Sequence, residues 1–198
     1  MNRPLLLSTC LLALLTAVGC SESASGIADA AGPATRPAGE SAAGDVIIIP
    51  EQPKSLTRED WQRMLDDKAF AILREDGTER AHTSPLNKEK REGVFHCAGC
   101  GNALYASGTK FESGTGWPSF YKPVSDAAVQ EKDDTRYGMV RTELECARCD
   151  GHLGHVFPDA PQTPTGLRHC INGSAMVFVP EGQDIQTVLA AYRAKVAE

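Results

Sequence analysis

The sequence has no basic excess: 20 lysines and arginines stand against 26 aspartates and glutamates, a net charge of −6. A nucleic-acid partner calls for a positive face, so no nucleic acid is expected among the ligands. There is no apolar run long enough to cross a bilayer comfortably. The longest, Leu5–Val18, falls short of the roughly 20 residues a spanning helix needs. No internal repeat is visible, so a chain of 198 residues is read as one domain with appendages. Hydrophobic content is ordinary, and a sizeable core is possible.

The short apolar run has another use. Arg3 precedes it and small residues follow it up to Cys20, the pattern of a signal peptide over residues 1–20. Ala17-Val18-Gly19-Cys20 resembles a bacterial lipobox, in which the cysteine is lipidated and becomes the mature N-terminus, although Ala17 departs from the usual leucine. Cleavage without lipid and retention as an anchor are the alternatives. The expectation is an exported bacterial protein held to a membrane through lipid on Cys20, facing the periplasm or the cell surface. Residues 21–49 follow as a flexible linker, because alanine, glycine, serine, proline and threonine bury too little surface to fold.

The folded part should begin near Pro50. Thr57 followed by Glu59 and Asp60 has the form of a helix start, and Trp61, Met64 and Leu65 then share one face. Phe70–Leu73 fits one more turn or a short strand, and Asp76-Gly77 marks a turn. After Gly93 the pattern changes to short strands between glycine and proline turns: Val94–Cys97, Leu104-Tyr105, Tyr137–Cys146 as the longest, Gly154–Phe157 and Ala175–Val179. That is a mainly β, antiparallel domain. Asp184–Val196 reads as a terminal helix, with Ile185, Val188, Leu189 and Tyr192 as its apolar stripe.

The seven cysteines sort by spacing. Cys10 and Cys20 belong to the export segment. Cys97/Cys100 and Cys146/Cys149 are two Cys-x-x-Cys pairs, the arrangement of two knuckles that bring four thiolates into a tetrahedron. Zinc suits such a closed four-sulfur site, in a structural role; iron takes the same ligands, and two disulfides are the competing outcome in an exported protein. Cys170 remains alone, with Arg168 and Asn172 two residues to either side. A lone cysteine is often simply core, yet a nearby cation can hold a thiol as the nucleophilic thiolate.

Three stretches carry the remaining chemistry: Ser113–Phe120, Gly151–Asp159 and Arg168–Asn172. Each sets glycines beside functional side chains, which suggests turns holding polar and aromatic groups at a cleft. Trp117, before a proline in a glycine-rich loop, suits a wall for a small apolar group, and His152 and His155 can move protons near neutral pH.

Taken together these stretches resemble the methionine sulfoxide reductase B family. The resemblance runs from about Leu56 to Val179 and rests on Gly77-Thr78-Glu79, Lys110-Phe111, Gly-Trp-Pro-Ser-Phe at 116–120, both cysteine pairs, His-Leu-Gly-His-Val-Phe-Pro-Asp at 152–159 and Gly-Leu-Arg-His-Cys-Ile-Asn at 166–172. It implies two antiparallel β-sheets with small flanking helices, a structural four-cysteine zinc site (Cys97, Cys100, Cys146, Cys149), a reductase domain over residues 50–182 and a C-terminal helix over 183–198. It implies reduction of the R epimer of methionine sulfoxide in peptides and proteins. Cys170 is then the nucleophile, His152 and His155 hydrogen-bond the departing oxygen, Arg168 favours the thiolate and Asn172 orients groups around it. Trp117 would pack on the substrate methyl, and Phe157 would line the same pocket.

Thr115 stands where many members carry a resolving cysteine, so the sulfenic acid formed on Cys170 should wait for an external, thioredoxin-like thiol. Gly173 replaces a frequent serine, and His169 a frequent aromatic residue. A metal-stabilised binding module and a thiol-disulfide oxidoreductase using one Cys-x-x-Cys are the other classes considered. Cys170 between Arg168 and Asn172 disfavours the first, and the knuckle context of both pairs disfavours the second.

Overall fold

The computed structural model describes residues 48–197. The expected signal peptide, Cys20 and linker residues 21–47 lie outside the described residues.

Two helices open the domain. In α1 (Arg58–Met64) the Thr57 hydroxyl accepts from the Asp60 amide while the Asp60 carboxylate accepts from the Thr57 amide, a reciprocal cap that stabilises by about 1 kcal/mol. Trp61 and Met64 turn inward from this helix. Phe70–Leu73 belongs to a full helix, α2 (Asp67–Glu75), started by Asp66 accepting from the Ala69 amide and ended by Asp76 in the left-handed conformation. A short apolar run has no decisive period of its own, and the cap settles it.

Nine strands follow: β1 (Gly93–Cys97), β2 (Ala103–Ala106), β3 (Lys110–Phe111), β4 (Ser119–Phe120), β5 (Val129–Asp134), β6 (Arg141–Cys146), β7 (His152–Ala160), β8 (Gly166–Ile171) and β9 (Met176–Pro180). They form two antiparallel sheets, β2-β1-β9 and β3-β4-β8-β7-β6-β5. Aromatic side chains join the sheets. Phe120 of the larger sheet stacks on Tyr105 at 4.4 Å and meets Phe95 edge-on at 5.0 Å, both from the smaller one. Such pairs add about 0.5–1.5 kcal/mol each beyond the area they bury.

The sequence overestimates one strand. Gly138 takes a φ of 70° inside a turn, so pairing begins only at Arg141 and β7, with nine residues, is the longest strand. It also conceals another: β5 is largely charged, as befits the outer edge of a sheet, where charge discourages pairing with a second chain. Helix α3 (Ile185–Val196) buries Leu189 fully and packs Ile185 and Tyr192 against the core. Its Arg193, 1% exposed, donates to the carbonyls of Met64, Gly99 and Ile48 and so ties the helix to α1 and the first cysteine knuckle.

Candidate active site

Register places the site. Across the larger sheet Glu143 of β6 pairs with His155 of β7, His155 with Cys170 of β8, and Cys170 with Ser119 of β4. Cross-strand partners share a face, as do residues two apart along a strand. Phe157 and Arg168, themselves paired, therefore join Cys170 and His155, and Arg141 joins Glu143 with Asp134 opposite it on β5. Of the three glycine-rich stretches, Gly151–Asp159 holds the expected strand at Gly154–Phe157 and Arg168–Asn172 forms its neighbour, so the two are adjacent central strands. Gly154 lets them close up, since a Cβ there would lie 2.0 Å from the Cys170 carbonyl oxygen.

On a regular strand His152 and His155, three apart, would face opposite ways. A bulge on β7, where Leu153 is the extra residue opposite the step from Leu144 to Glu145, shifts the pairing so that His152 meets Glu145 and returns to the face of His155. The two imidazoles lie 5.5 Å apart. His152 is buried and its Nδ1 bonds the Glu143 carboxylate at 2.5 Å.

Cys170, Trp117, His155, Phe157 and Asn172 line one cleft of about 150 Å³, together with Thr78, Arg141 and Gly154. Among the expected site residues His152 and Arg168 stand behind this lining rather than in it. Arg168 stacks on Phe157 at 4.5 Å and makes a two-pronged bond to Asp159 at 2.9 and 2.6 Å. The Trp117 indole donates to the Glu79 carbonyl at 3.1 Å. Asn172 accepts from the Glu79 amide at 3.0 Å and donates to the Leu153 carbonyl at 2.9 Å. The Glu79 carboxylate accepts from the amides of Gly173 and Ser174, so one residue of the loop before β1 anchors both the aromatic wall and the turn after Cys170.

Burial pushes the Cys170 thiol above its ordinary pKa, and Arg168 and Thr115 oppose that without overcoming it. Arg168 favours the charged form of Cys170, as expected, while sharing its guanidinium with Asp159. Burial also lowers the pKa of His155 below the usual imidazole value, with Asp134 pulling the other way. Asp134 is held far below the usual carboxylate range by Arg136, His155 and Arg141. An ionised carboxylate only accepts, so the 2.8 Å contact from His155 Nε2 to Asp134 assigns the proton to Nε2 and leaves Nδ1 with a lone pair. Thr115 Oγ1 lies 4.0 Å from Cys170 Sγ, where a resolving sulfur would otherwise stand.

The two unusual neighbours are explained by packing. His169 is buried, bonds the Tyr105 hydroxyl at 3.2 Å and has its pKa lowered to about 4 by burial, so it is a neutral ring of the core. A Cβ on Gly173 would meet Ser84 Oγ at 1.9 Å, so a larger residue there requires Ser84 to move.

The four remaining cysteines of the domain lie together, buried, with their sulfurs all within 4.8 Å of one another. Cys97 and Cys149 are 3.8 Å apart and Cys100 and Cys146 3.6 Å. Disulfide sulfurs sit at about 2.05 Å, whereas tetrahedral Zn–S bonds of about 2.3 Å separate sulfurs by about 3.8 Å. The geometry therefore fits a metal and not two bridges. Cys97 ends β1 and Cys146 ends β6, so this centre joins the two sheets. Asn102 and Arg74 approach Cys146 and Cys149 at 3.6 and 3.7 Å and complement thiolate charge.

Glu79, Asp134, Arg141 and Glu143 also shape the site, though no local motif assigns them a role. Glu79 lay within a family motif, while the other three are distinguishable only by register.

Fold and site together define a thiol-based redox enzyme built around a structural four-cysteine metal centre. A family model described as the SelR domain matches residues 65–180. The chain is 54% identical over 124 residues to the peptide methionine sulfoxide reductase MsrB of Pseudomonas putida (strain W619), covering 63% of this chain and 92% of that one. It is 54% identical over 121 residues to the protein of the same name in Agrobacterium fabrum (strain C58), covering 61% and 89%. With that of Pseudomonas fluorescens (strain Pf0-1) the identity is 52% over 124 residues, covering 63% and 94%. The chain belongs to the methionine sulfoxide reductase B family.

Proposed function

We propose that this domain, a peptide-methionine (R)-S-oxide reductase, works as a proton-neutral thiol enzyme in which Cys170 and His155 begin uncharged. The observation that carries this is a half-buried thiol and an imidazole with a bare nitrogen on paired positions of one cleft. As the Cys170 sulfur attacks the sulfoxide sulfur, its proton passes to His155 Nδ1, and the imidazolium formed, held by Asp134, delivers it to the sulfoxide oxygen. The hydroxyl then transfers to Cys170. One thiol and one sulfoxide give one sulfenic acid and one thioether; two electrons leave the cysteine sulfur, and no net proton is consumed. Trp117 receives the substrate methyl, with Phe157 on the far side of the cleft. Asn172, both ends of its amide engaged, positions the turn after the nucleophile. His152 braces the His155 ring, and Arg168 moderates the desolvation of Cys170. Cys97, Cys100, Cys146 and Cys149 would hold zinc, which would tie the two sheets together and supply no chemistry in the cleft.

Thr115 beside Cys170, and four cysteines committed to metal, support recycling by an outside thiol. One thiol condenses with the sulfenic acid, releasing water, and a second thiol frees Cys170 as a disulfide forms, the chemistry of a thioredoxin-like dithiol. The test is turnover of dabsyl-methionine (R)-sulfoxide with dithiothreitol, wild type against Cys170→Ser, and dimedone capture of Cys170 after one equivalent of substrate. Activity surviving in the serine variant would overturn the mechanism, and an internal disulfide in place of the dimedone adduct would overturn the recycling.

The apolar Leu5–Val18 run, the Ala17–Cys20 stretch and the linker composition support export and lipid attachment at Cys20, with the domain tethered to a membrane. Cys20→Ala should then release the protein from the membrane fraction; unchanged fractionation would refute the anchor.

A further inference from the structure

Arg141 carries the one charge on the cleft wall beside His155, and the mechanism above gives it no task. Its Nη2 donates to Asp134 Oδ2 at 2.5 Å, the only hydrogen bond its side chain makes among the described residues. Its Nε is shut from solvent without an acceptor, the only buried side-chain polar atom among the described residues in that condition. Buried donors are nearly always paired, so the guanidinium is under-satisfied, and Nη1, unbonded among the described residues but not buried, is the donor a cleft ligand can reach. Asp134 does not need the rest of the guanidinium, because Arg136 already binds it through Nε and the main-chain amide. A planar fork with donors to spare suits an oxygen acceptor.

Strand order decides which oxygen. Trp117 precedes β4 on one side of β8, while β6 and Arg141 lie two strands away on the other, about 10 Å at the usual strand spacing. His155 stands between. The sulfoxide oxygen must stay within about 3.5 Å of the Cys170 sulfur to react, which gives it to His155. With the methyl on Trp117 and the sulfur over Cys170, the rest of the methionine side chain runs toward β6. Its main-chain carbonyl then lies roughly 5–6 Å beyond the sulfur.

We propose that Arg141 is a substrate-binding residue that receives a main-chain carbonyl of the oxidised methionine's peptide, so that the enzyme recognises the backbone as well as the sulfoxide. This rests on methionine sulfoxide being the substrate, and the test separates the two.

Kinetics are compared for N-acetyl-methionine (R)-sulfoxide N-methylamide, for its analogue with CH2 in place of the methionine carbonyl, and for ethyl methyl sulfoxide, which has no carbonyl. The wild type should lose about tenfold in kcat/KM, mostly through KM, when the carbonyl is removed. Arg141→Lys keeps a cation for Asp134 but lacks the fork. It should lose about tenfold on the amide and nothing further on the CH2 analogue, so the preference for the amide over ethyl methyl sulfoxide shrinks by that factor. Equal losses on all three substrates would place Arg141 on the sulfoxide oxygen or on the His155–Asp134 pair and overturn the proposal. If the lysine variant does not fold, the wild type decides: no loss on the CH2 analogue overturns the carbonyl contact. A wild type inactive on every sulfoxide would instead sink the functional reading itself.

Discussion

Gly154→Ala is the most telling single change, because it adds one methyl group where β7 and β8 touch. The Cβ would sit 2.0 Å from the Cys170 carbonyl oxygen and 3.1 Å from the Ile171 Cα. The obstruction is main chain in the middle of a six-stranded sheet, so no side chain can swing aside. The strands must part by about 1 Å, and overpacking of this kind costs about 1–3 kcal/mol. For a domain of this size that lowers Tm by about 2–4 °C per kcal/mol, or by roughly 2–12 °C in all. The same displacement moves His155 relative to Cys170, and a 1 Å misplacement of reacting groups is worth about 100-fold in rate. Differential scanning calorimetry and turnover of the sulfoxide substrate measure the two effects. Gly166→Ala is the control: its φ of 71° disfavours a side chain, but a Cβ there meets nothing within 4 Å. It should cost only the left-handed strain, about 1–2 kcal/mol, and leave the rate near that of wild type. A Gly154→Ala protein with wild-type Tm and rate would show that the close strand contact does not organise the site.

The metal centre gives a second prediction. Cys146→Ser, or prolonged chelation, should release about one equivalent of zinc by ICP-MS and abolish the near-UV circular dichroism, since structural zinc contributes on the order of 10 kcal/mol. A metal-free protein with native spectra would refute its role. The buried His169 gives a third. Its pKa falls from 6.5 to about 4 in the fold, so the unfolded chain takes up the proton first as pH falls. The stability it contributes is therefore intact above pH 6.5 and is lost progressively as pH drops toward 4, by about 3 kcal/mol. His169→Phe should flatten urea-melt stability between pH 7 and pH 4.5; an unchanged acid slope would count against the buried neutral ring.

Much of the site is legible from local chemistry. Cys-x-x-Cys spacing announces a metal knuckle because the two sulfurs of one tight turn already point the same way. Thr57 with Asp60 starts a helix through bonds made within four residues. Cys170 stands out because the other four cysteines after the export segment fall into two pairs. Signals that depend on a distant strand are weaker. Alternation over Tyr137–Cys146 gives no warning of the turn at Gly138, and the charges of β5 hide a strand whose hydrogen-bond partner is β6. Arg168 beside Cys170 reads as a thiolate-stabilising cation, and only the structure shows that it also holds Asp159.

What the linear sequence determined by itself is the inventory: a nucleophilic sulfur, four metal thiolates, two histidines, an indole in a glycine loop, each set by spacing that survives in any fold. What only the tertiary structure decided is their protonation and their neighbours. Whether Cys170 is thiol or thiolate depends on desolvation, and whether His155 accepts or donates depends on Asp134, 21 positions away in the chain and 2.8 Å away in space. Burial and long-range pairing are properties of strand register, and register is not written in any single strand.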